Sequence, residues 1–286
     1  MNEQVKDTVL PRRDRRSQKR VTEDGWRTAL TCIEPNKILV RGYPLDEIMG
    51  RLTFGEAIYL LLVGEVPTPA MGSLMEAMLV SFIDHGATPP STLAALNTVT
   101  TGAGIRGAVA AGVLGFGRYH GGTALACRAL LDEGLDIARS GQTMAEAATQ
   151  LVRRLVETDD LPPPGFGHRY HTIDPRATRL LQLAHELEED HNYTQMLRAL
   201  EQALARHEAL QGQQLGVNID GAISAVCGNL GLPPDVADAV LIISRVPGLT
   251  AHVLEEQRRE QPMRAIDPSK HSYDGPPERR LPEGRK

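Results

Sequence analysis

Thr53-Phe54-Gly55-Glu56-Ala57-Ile58-Tyr59-Leu60-Leu61-Leu62-Val63-Gly64-Glu65-Val66-Pro67-Thr68 is the stretch that decides the fold class. It opens with a capping box, in which the Thr53 hydroxyl accepts from the backbone N–H of Glu56 while the Glu56 carboxylate reaches back. An apolar run continues to Val63, Gly64 stops it, and Pro67 stands just beyond, so one stretch carries both a helix start and a helix stop. The pattern repeats outward. Asp174-Pro175 pairs an N-capping acid with proline at the first helical position. Pro233-Pro234 opens a helix that runs through Val236, Val240, Leu241 and Ile243. The stretches 70–84, 91–100, 107–116, 122–139, 143–157 and 194–210 read as further helices with short connections. Aromatic residues make up only 4% of the chain and alternating β-branched runs are hard to find, so strands have little to be built from. The expectation is an all-α protein.

The 286 residues, 41% hydrophobic and 23% charged, fit a soluble globular chain able to bury roughly 75% of its unfolded surface. A net charge of −5 repels phosphate at long range, which argues against nucleic acid and anionic membranes as partners. The continuous apolar runs fall far short of the ~18 residues of a membrane span, and 1–20 lacks the apolar core of a signal peptide. Cys32, Cys127 and Cys227 are odd in number and far apart, with no CxxC pair. They read as small buried hydrophobes in a reducing compartment, with no metal site and a cytoplasmic location. Residues 1–20, rich in arginine, read as a flexible basic arm that solubilises the chain. Pro162-Pro163-Pro164 suggests a domain boundary. The expected organisation is a large helical domain over 21–160, a small one over 161–245, and a return to the large domain with a polar tail over 246–286.

Four places carry more glycine, histidine and arginine than packing requires. In Pro164-Gly165-Phe166-Gly167-His168-Arg169, leading into Asp174-Pro175-Arg176, the glycines allow close backbone approach. His168 stands near a helix N-terminus and Arg176 in its first turn, a combination suited to a carboxylate or phosphate. His120-Gly121-Gly122 can offer a ring N–H to an oxyanion, although glycine pairs also serve plain tight turns. Asp220, in Asn218-Ile219-Asp220-Gly221, is either an N-cap or a functional acid. Arg245, in Ser244-Arg245-Val246-Pro247-Gly248, either snorkels to the surface or binds a ligand; Arg264 follows it, and His85 is a weaker fifth point. Gly102-Ala103-Gly104-Ile105-Arg106-Gly107 matches G-x-G-x-x-G, but the residues before it read as helix. The dinucleotide fingerprint needs a strand there.

Taken in order, these residues resemble the citrate synthase superfamily, which includes short citryl-CoA lyases and the C-terminal part of ATP-citrate lyase. The resemblance begins at Val40-Arg41-Gly42-Tyr43-Pro44-Leu45-Asp46-Glu47-Ile48 and runs through 53–68, Asp84-His85 and Ser91-Thr92. It continues through His120-Gly121-Gly122, Gly165-Phe166-Gly167-His168-Arg169 with Asp174-Pro175-Arg176, Asn218-Ile219-Asp220, and Arg245 to His252. It implies an all-helical homodimer with a large and a small domain and the active site in the cleft. It also implies roles. Asp220 takes a proton from the acyl-CoA α-carbon, His120 meets the thioester oxygen, and His168 polarises the keto group of a 2-oxo dicarboxylic acid. His85, Arg176 and Arg245 hold that acid's carboxylates, with Arg264 from the other subunit. Pro164, Gly165, Phe166, Gly167 and Arg169 lie near CoA. No cofactor is implied beyond the CoA thioester itself.

The chain departs from the synthase pattern at Leu96, where an arginine is common, and at Ala124, where an asparagine is. Asn218-Ile219-Asp220-Gly221 resembles the lyases, whereas His120 is a synthase feature. The resemblance therefore leaves synthesis and cleavage both open, together with a non-catalytic acyl-CoA or carboxylate binder.

Overall fold

The computed structural model describes residues 25, 27–117, 120–263, 268–270 and 272–281. The arm 1–20, Arg118, Tyr119 and Arg264 lie outside the described residues. A short hairpin and third strand come first: β1 (Thr31–Glu34), β2 (Lys37–Val40) and β3 (Tyr43–Pro44), antiparallel in the order β1-β2-β3. Eleven α-helices follow among the described residues: α1 (Leu45–Ile48), α2 (Phe54–Val63), α3 (Pro69–Ser81), α4 (Pro90–Thr100), α5 (Ile105–Leu114), α6 (Ala124–Arg139), α7 (Met144–Glu157), α8 (Pro175–Glu186), α9 (Asn192–Arg206), α10 (Ile219–Asn229) and α11 (Val236–Arg259).

The sheet departs from a purely helical expectation, for a physical reason. Its strands are four residues or fewer and mostly exposed on both faces, so no buried face imposes an alternating pattern. The hairpin is written instead in its turn, Pro35-Asn36, with Asn36 at φ 61° and Glu34 opposite Lys37. Cys32, on β1, is exposed rather than buried; Cys127 and Cys227 are buried as expected. Arg41, next after the hairpin, donates from Nε and Nη2 to the Leu61 carbonyl at 3.0 and 2.7 Å. That satisfies a carbonyl the end of α2 leaves unpaired. The capping box of α2 is formed and Gly64 closes the helix at φ 101°.

Backbone contacts group the chain into two compact units. The first runs to Gly86 and resumes over Phe116–Gly248. Its core centres on α10, whose residues are buried from Gly221 to Gly228. A helix apolar on all sides belongs inside a bundle, and α10 packs against α3, α6, α8 and α9. Leu74, Met75, Leu131, Leu151, Met196, Leu197 and Ile223 are among the fully buried side chains there. Because α6 and α7 pack with α9 and α10 in one unit, this grouping does not follow the border expected at 160/161. The prolines interrupt the chain, not the packing.

The second unit comprises 87–115 and 249 onward. It is built on the α4–α5 pair, with Ala95, Val99, Ala108, Leu249 and Val253 as its buried cluster. Gly102 to Gly104 make the turn between these two helices, so a helix precedes the glycine-rich match, which is not a dinucleotide fingerprint. By length and composition alone α11 could cross a membrane, although no single apolar run in it is long; half of that apolar window is buried within the protein.

Candidate active site

Two loops of the first unit are laced together at the N-terminal end of α10. The Asn218 N–H donates to the Gly165 carbonyl at 3.0 Å, and the Gly167 N–H to that of Gly216 at 2.8 Å. Phe166 and Val217 form an antiparallel bridge, and the Asn218 side-chain amide donates to the Gly167 carbonyl at 2.9 Å. The approach is tight enough that glycine is obligatory at two points. A Cβ on Gly165 would strike the Cys127 sulfur, and one on Gly221 would strike the Gly165 carbonyl.

Asp174 adds a second tie. It caps α8 through the Arg176 N–H and accepts from the Ile219 N–H of α10 at 3.1 Å. Burial alone would raise its pKa, but these donors and the Arg176 charge outweigh burial and lower it. His168 and Asp220 are thereby set by the same network. The N-cap of α10 is Asn218, whose side chain accepts from Gly221 N, so Asp220 is free of the capping duty an acid at that position often has.

His120 sits on a two-way backbone pairing with Gly117, at 2.9 and 3.0 Å, and its ring stacks on Phe116 at 5.2 Å. Gly121 follows at φ 80°, where a Cβ would lie 2.9 Å from both Phe116 and Leu241. Arg245 arrives from α11, which is pinned to the end of α3. The Ser244 hydroxyl donates to the Leu79 carbonyl, and Arg245 Nε to that of Phe82 at 2.7 Å. Arg245 is 3% exposed, so it does not snorkel. Its Nη1 is buried with no acceptor among the described residues. An unsatisfied buried guanidinium N–H is costly and is expected where an anionic ligand will meet it.

These side chains share one cavity of 610 Å³, lined by His85, His120, His168, Arg176, Asp220 and Arg245 together with Phe166, Gly167 and Arg169. All belong to the first unit. The rings of His85 and His168 meet edge-on at 6.2 Å. The remaining CoA-loop expectations differ: Pro164 lines a neighbouring cavity, and Gly165 is buried against Cys127. Arg176 is not a free cation, since Nε and Nη2 grip Asp174 at 3.0 and 2.8 Å; Nη1 remains for a ligand. The cavity wall also carries residues that the sequence does not mark as functional, among them Phe116, Thr123 and Gln214. Thr123 donates its hydroxyl to Asp220 Oδ2 across 97 positions of sequence, a contact no local pattern announces.

Burial sets the protonation states. It lowers the pKa of His85 to about 4, aided by the charges of Arg176 and Arg245. It lowers that of His120, with Arg245 and Arg169 adding to the effect. His168 is lowered too, by burial first and His171 second. All three rings are therefore neutral at pH 7. His168 Nδ1 accepts from the N–H groups of Tyr170 and His171 at 3.0 and 3.1 Å, which puts the ring's single proton on Nε2. Asp220 moves the other way. Burial raises its pKa, while the Thr123 hydroxyl and the Arg176 charge oppose the rise.

The site thus brings together an acid whose pKa burial raises, neutral imidazoles and a buried guanidinium. Residues 67–266 match the family model "Citrate synthase, C-terminal domain". The citrate synthase of Deinococcus radiodurans is 28% identical over 70% of this chain and 51% of its own length. The chain spans about half the length of such curated relatives. Among solved structures, citryl-CoA lyase from Hydrogenobacter thermophilus is 38% identical with a TM-score of 0.81, covering 90% of this chain and 97% of that one. Citrate synthase from Pyrobaculum aerophilum is 26% identical with a TM-score of 0.63, covering 81% of this chain and 56% of that one. The fold, the spacing of the site residues and the extent of these matches lead to one statement: this chain belongs to the citrate synthase family.

Proposed function

We propose that the chain makes or breaks the carbon–carbon bond between an acetyl-CoA-type thioester and oxaloacetate or a similar 2-oxo dicarboxylic acid. One observation carries this reading: an acid, three neutral histidines and an unsatisfied buried arginine nitrogen line a single 610 Å³ cavity. A thioester α-hydrogen is weakly acidic, so a carboxylate removes it only when a fixed donor meets the charge developing on oxygen.

In the synthetic direction Asp220 takes the α-proton and the C–H electron pair moves into the enolate, whose oxygen accepts a hydrogen bond from His120. The enolate carbon then attacks the keto carbon, and the keto oxygen takes the proton from His168 Nε2. Water hydrolyses the resulting thioester to release CoA. Cleavage of citryl-CoA is the reverse of the bond-forming steps. His85, Arg176 Nη1 and Arg245 hold the acceptor's carboxylates, for which guanidinium groups are suited. The 164–169 loop lies near CoA, with Pro164, Gly165, Phe166, Gly167 and Arg169 its expected contacts. The scheme needs no metal or further cofactor. A homodimer, with Arg264 reaching the neighbouring copy's site, and a cytoplasmic location complete the proposal.

Cleavage is favoured over synthesis by the similarity to a citryl-CoA lyase across nearly the whole of that protein and by the lyase-like Asn218-Ile219-Asp220-Gly221. The test has two arms. Purified protein is supplied with citryl-CoA and oxaloacetate is measured; separately, acyl-CoA and 2-oxo acid pairs are supplied and thiol release is measured. Turnover in either arm that falls at least about 100-fold in Asp220→Asn, with the fold intact, is expected. Silence in both arms, or an unaffected Asp220→Asn enzyme, overturns the reading. Ligand-induced stabilisation without turnover would point instead to a non-catalytic binder.

A further inference from the structure

Thr123 occupies the N-cap position of α6, where a threonine hydroxyl ordinarily accepts from an amide of the first turn. It makes no such bond; its backbone sits at φ −95°, ψ −17°, outside the extended geometry of a capping residue. The hydroxyl is turned to Asp220 Oδ2 instead. The two helix starts are tied a second time, because the Ser224 hydroxyl lies 2.8 Å from the Ala124 carbonyl and 2.6 Å from that of Asp220. Oδ1 of Asp220 is left with no donor among the described residues.

A helix cap given up in favour of a carboxylate deep in the cavity wall needs a reason, and ligand chemistry supplies one. We propose that Thr123 is a positioning residue for the base: its hydroxyl fixes Oδ2 and leaves Oδ1 as the oxygen that receives the proton. This rests on the reading of Asp220 as the base. A hydrogen bond to the charged form favours that form, which counters the effect of burial at this site. It also restricts rotation of the carboxylate, and an error of about 1 Å in the placement of a catalytic group can cost about 100-fold in rate.

Thr123→Val keeps the shape and removes the donor, whereas Thr123→Ser keeps the donor. The expected result for Thr123→Val is an acid limb of the kcat–pH profile moved to higher pH. Its kcat should fall about 10- to 100-fold, with the KM for the 2-oxo acid within about twofold of wild type. Thr123→Ser should retain the wild-type limb. A purely structural threonine would change the thermal midpoint and leave the limb in place. Should Thr123→Val not fold, Thr123→Ala carries the same comparison.

NMR titration of ¹³C-labelled aspartate side chains reads the Asp220 shift without turnover. If the wild-type protein turns nothing over, the proposed reaction fails while this titration still tests the hydroxyl. An Asp220 titration or acid limb unmoved in both donor-free variants overturns the inference on its own.

Discussion

Replacing Gly221 with alanine sets two effects of opposite sign against each other. Gly221 is the third residue of α10, and on helix propensity alone alanine would stabilise by up to about 1 kcal/mol, less in a first turn. The added Cβ, however, would strike the Gly165 carbonyl oxygen and lie 3.2 Å from the Gly165 carbonyl carbon and Cα. Those atoms are backbone, held by the Asn218 N–H and by the bridge between Phe166 and Val217, so they cannot step aside as a side chain would. Overpacking of this kind costs about 1–3 kcal/mol, and with backbone on the far side the upper half of that range applies. The net expectation is a loss of about 2 kcal/mol, or a thermal midpoint lower by about 4–8 °C in a chain this size. Gly107 in α5 is the control. It is exposed, it is likewise the third residue of its helix, and its nearest neighbour to an added Cβ is the Ala103 Cβ at 3.8 Å, so Gly107→Ala should gain stability by less than about 1 kcal/mol. Urea denaturation of both variants decides the matter. A Gly221→Ala protein as stable as wild type would refute the claim that the Gly165 loop and the first turn of α10 are locked in contact.

Arg245→Gln should weaken binding of a dicarboxylic 2-oxo acid by about 30-fold or more, the effect of about 2 kcal/mol for a buried charge that loses its partner; calorimetry checks it, and an unchanged affinity would remove Arg245 from the site. Ellman's reagent should modify one thiol per folded chain, Cys32, because Cys127 and Cys227 are buried with their pKa values pushed up to about 12; two or three fast thiols would contradict that packing. His85, half-buried and neutral, resists protonation until about pH 4 while the unfolded chain takes up the proton near 6.5. Stability should therefore be complete above 6.5 and decline as pH falls from 6.5 toward 4. His85→Gln should reduce the slope of the urea midpoint in that window, and an unchanged slope would assign the effect elsewhere.

How much of this was legible in the sequence depends on the range of the interaction that fixes each feature. Helix ends are decided within a turn of the chain. Thr53 with Glu56, Gly64, and Asp174-Pro175 mark α2 and α8 where the structure has them, because each motif satisfies its own terminal N–H or C=O groups locally. The hairpin at 31–40 escaped notice because its strands face solvent on both sides and carry no alternation. The grouping into compact units escaped it for the opposite reason. The three prolines at 162–164 are conspicuous locally, yet whether α7 stays with α9 is decided by Leu151, Val152, Met196 and Leu200 meeting across the core, and no single stretch of chain records that meeting.

The site divides along the same line. Residues proposed to act on a ligand stand in an unusual local composition of glycine, histidine and arginine, so His120, His168, Asp220 and Arg245 could be marked as candidates without a structure. Residues that act on those residues carry none. Thr123 reads as an unremarkable threonine in the first turn of the helix expected over 122–139, and Phe116 as one more apolar residue at the end of another. Their significance exists only once Asp220 is brought across 97 positions to one and His120 stacks on the other. Even Gly221, visible as a glycine, shows its purpose only when Gly165 arrives opposite it. A carboxylate set in a low-dielectric wall depends on such partners more than on its own neighbours in sequence, since burial raises its pKa and only a donor or cation from elsewhere can counter the rise. The tuning of Asp220 is therefore a tertiary property, and substitutions at Thr123 test it more directly than any change confined to the four-residue motif around Asp220.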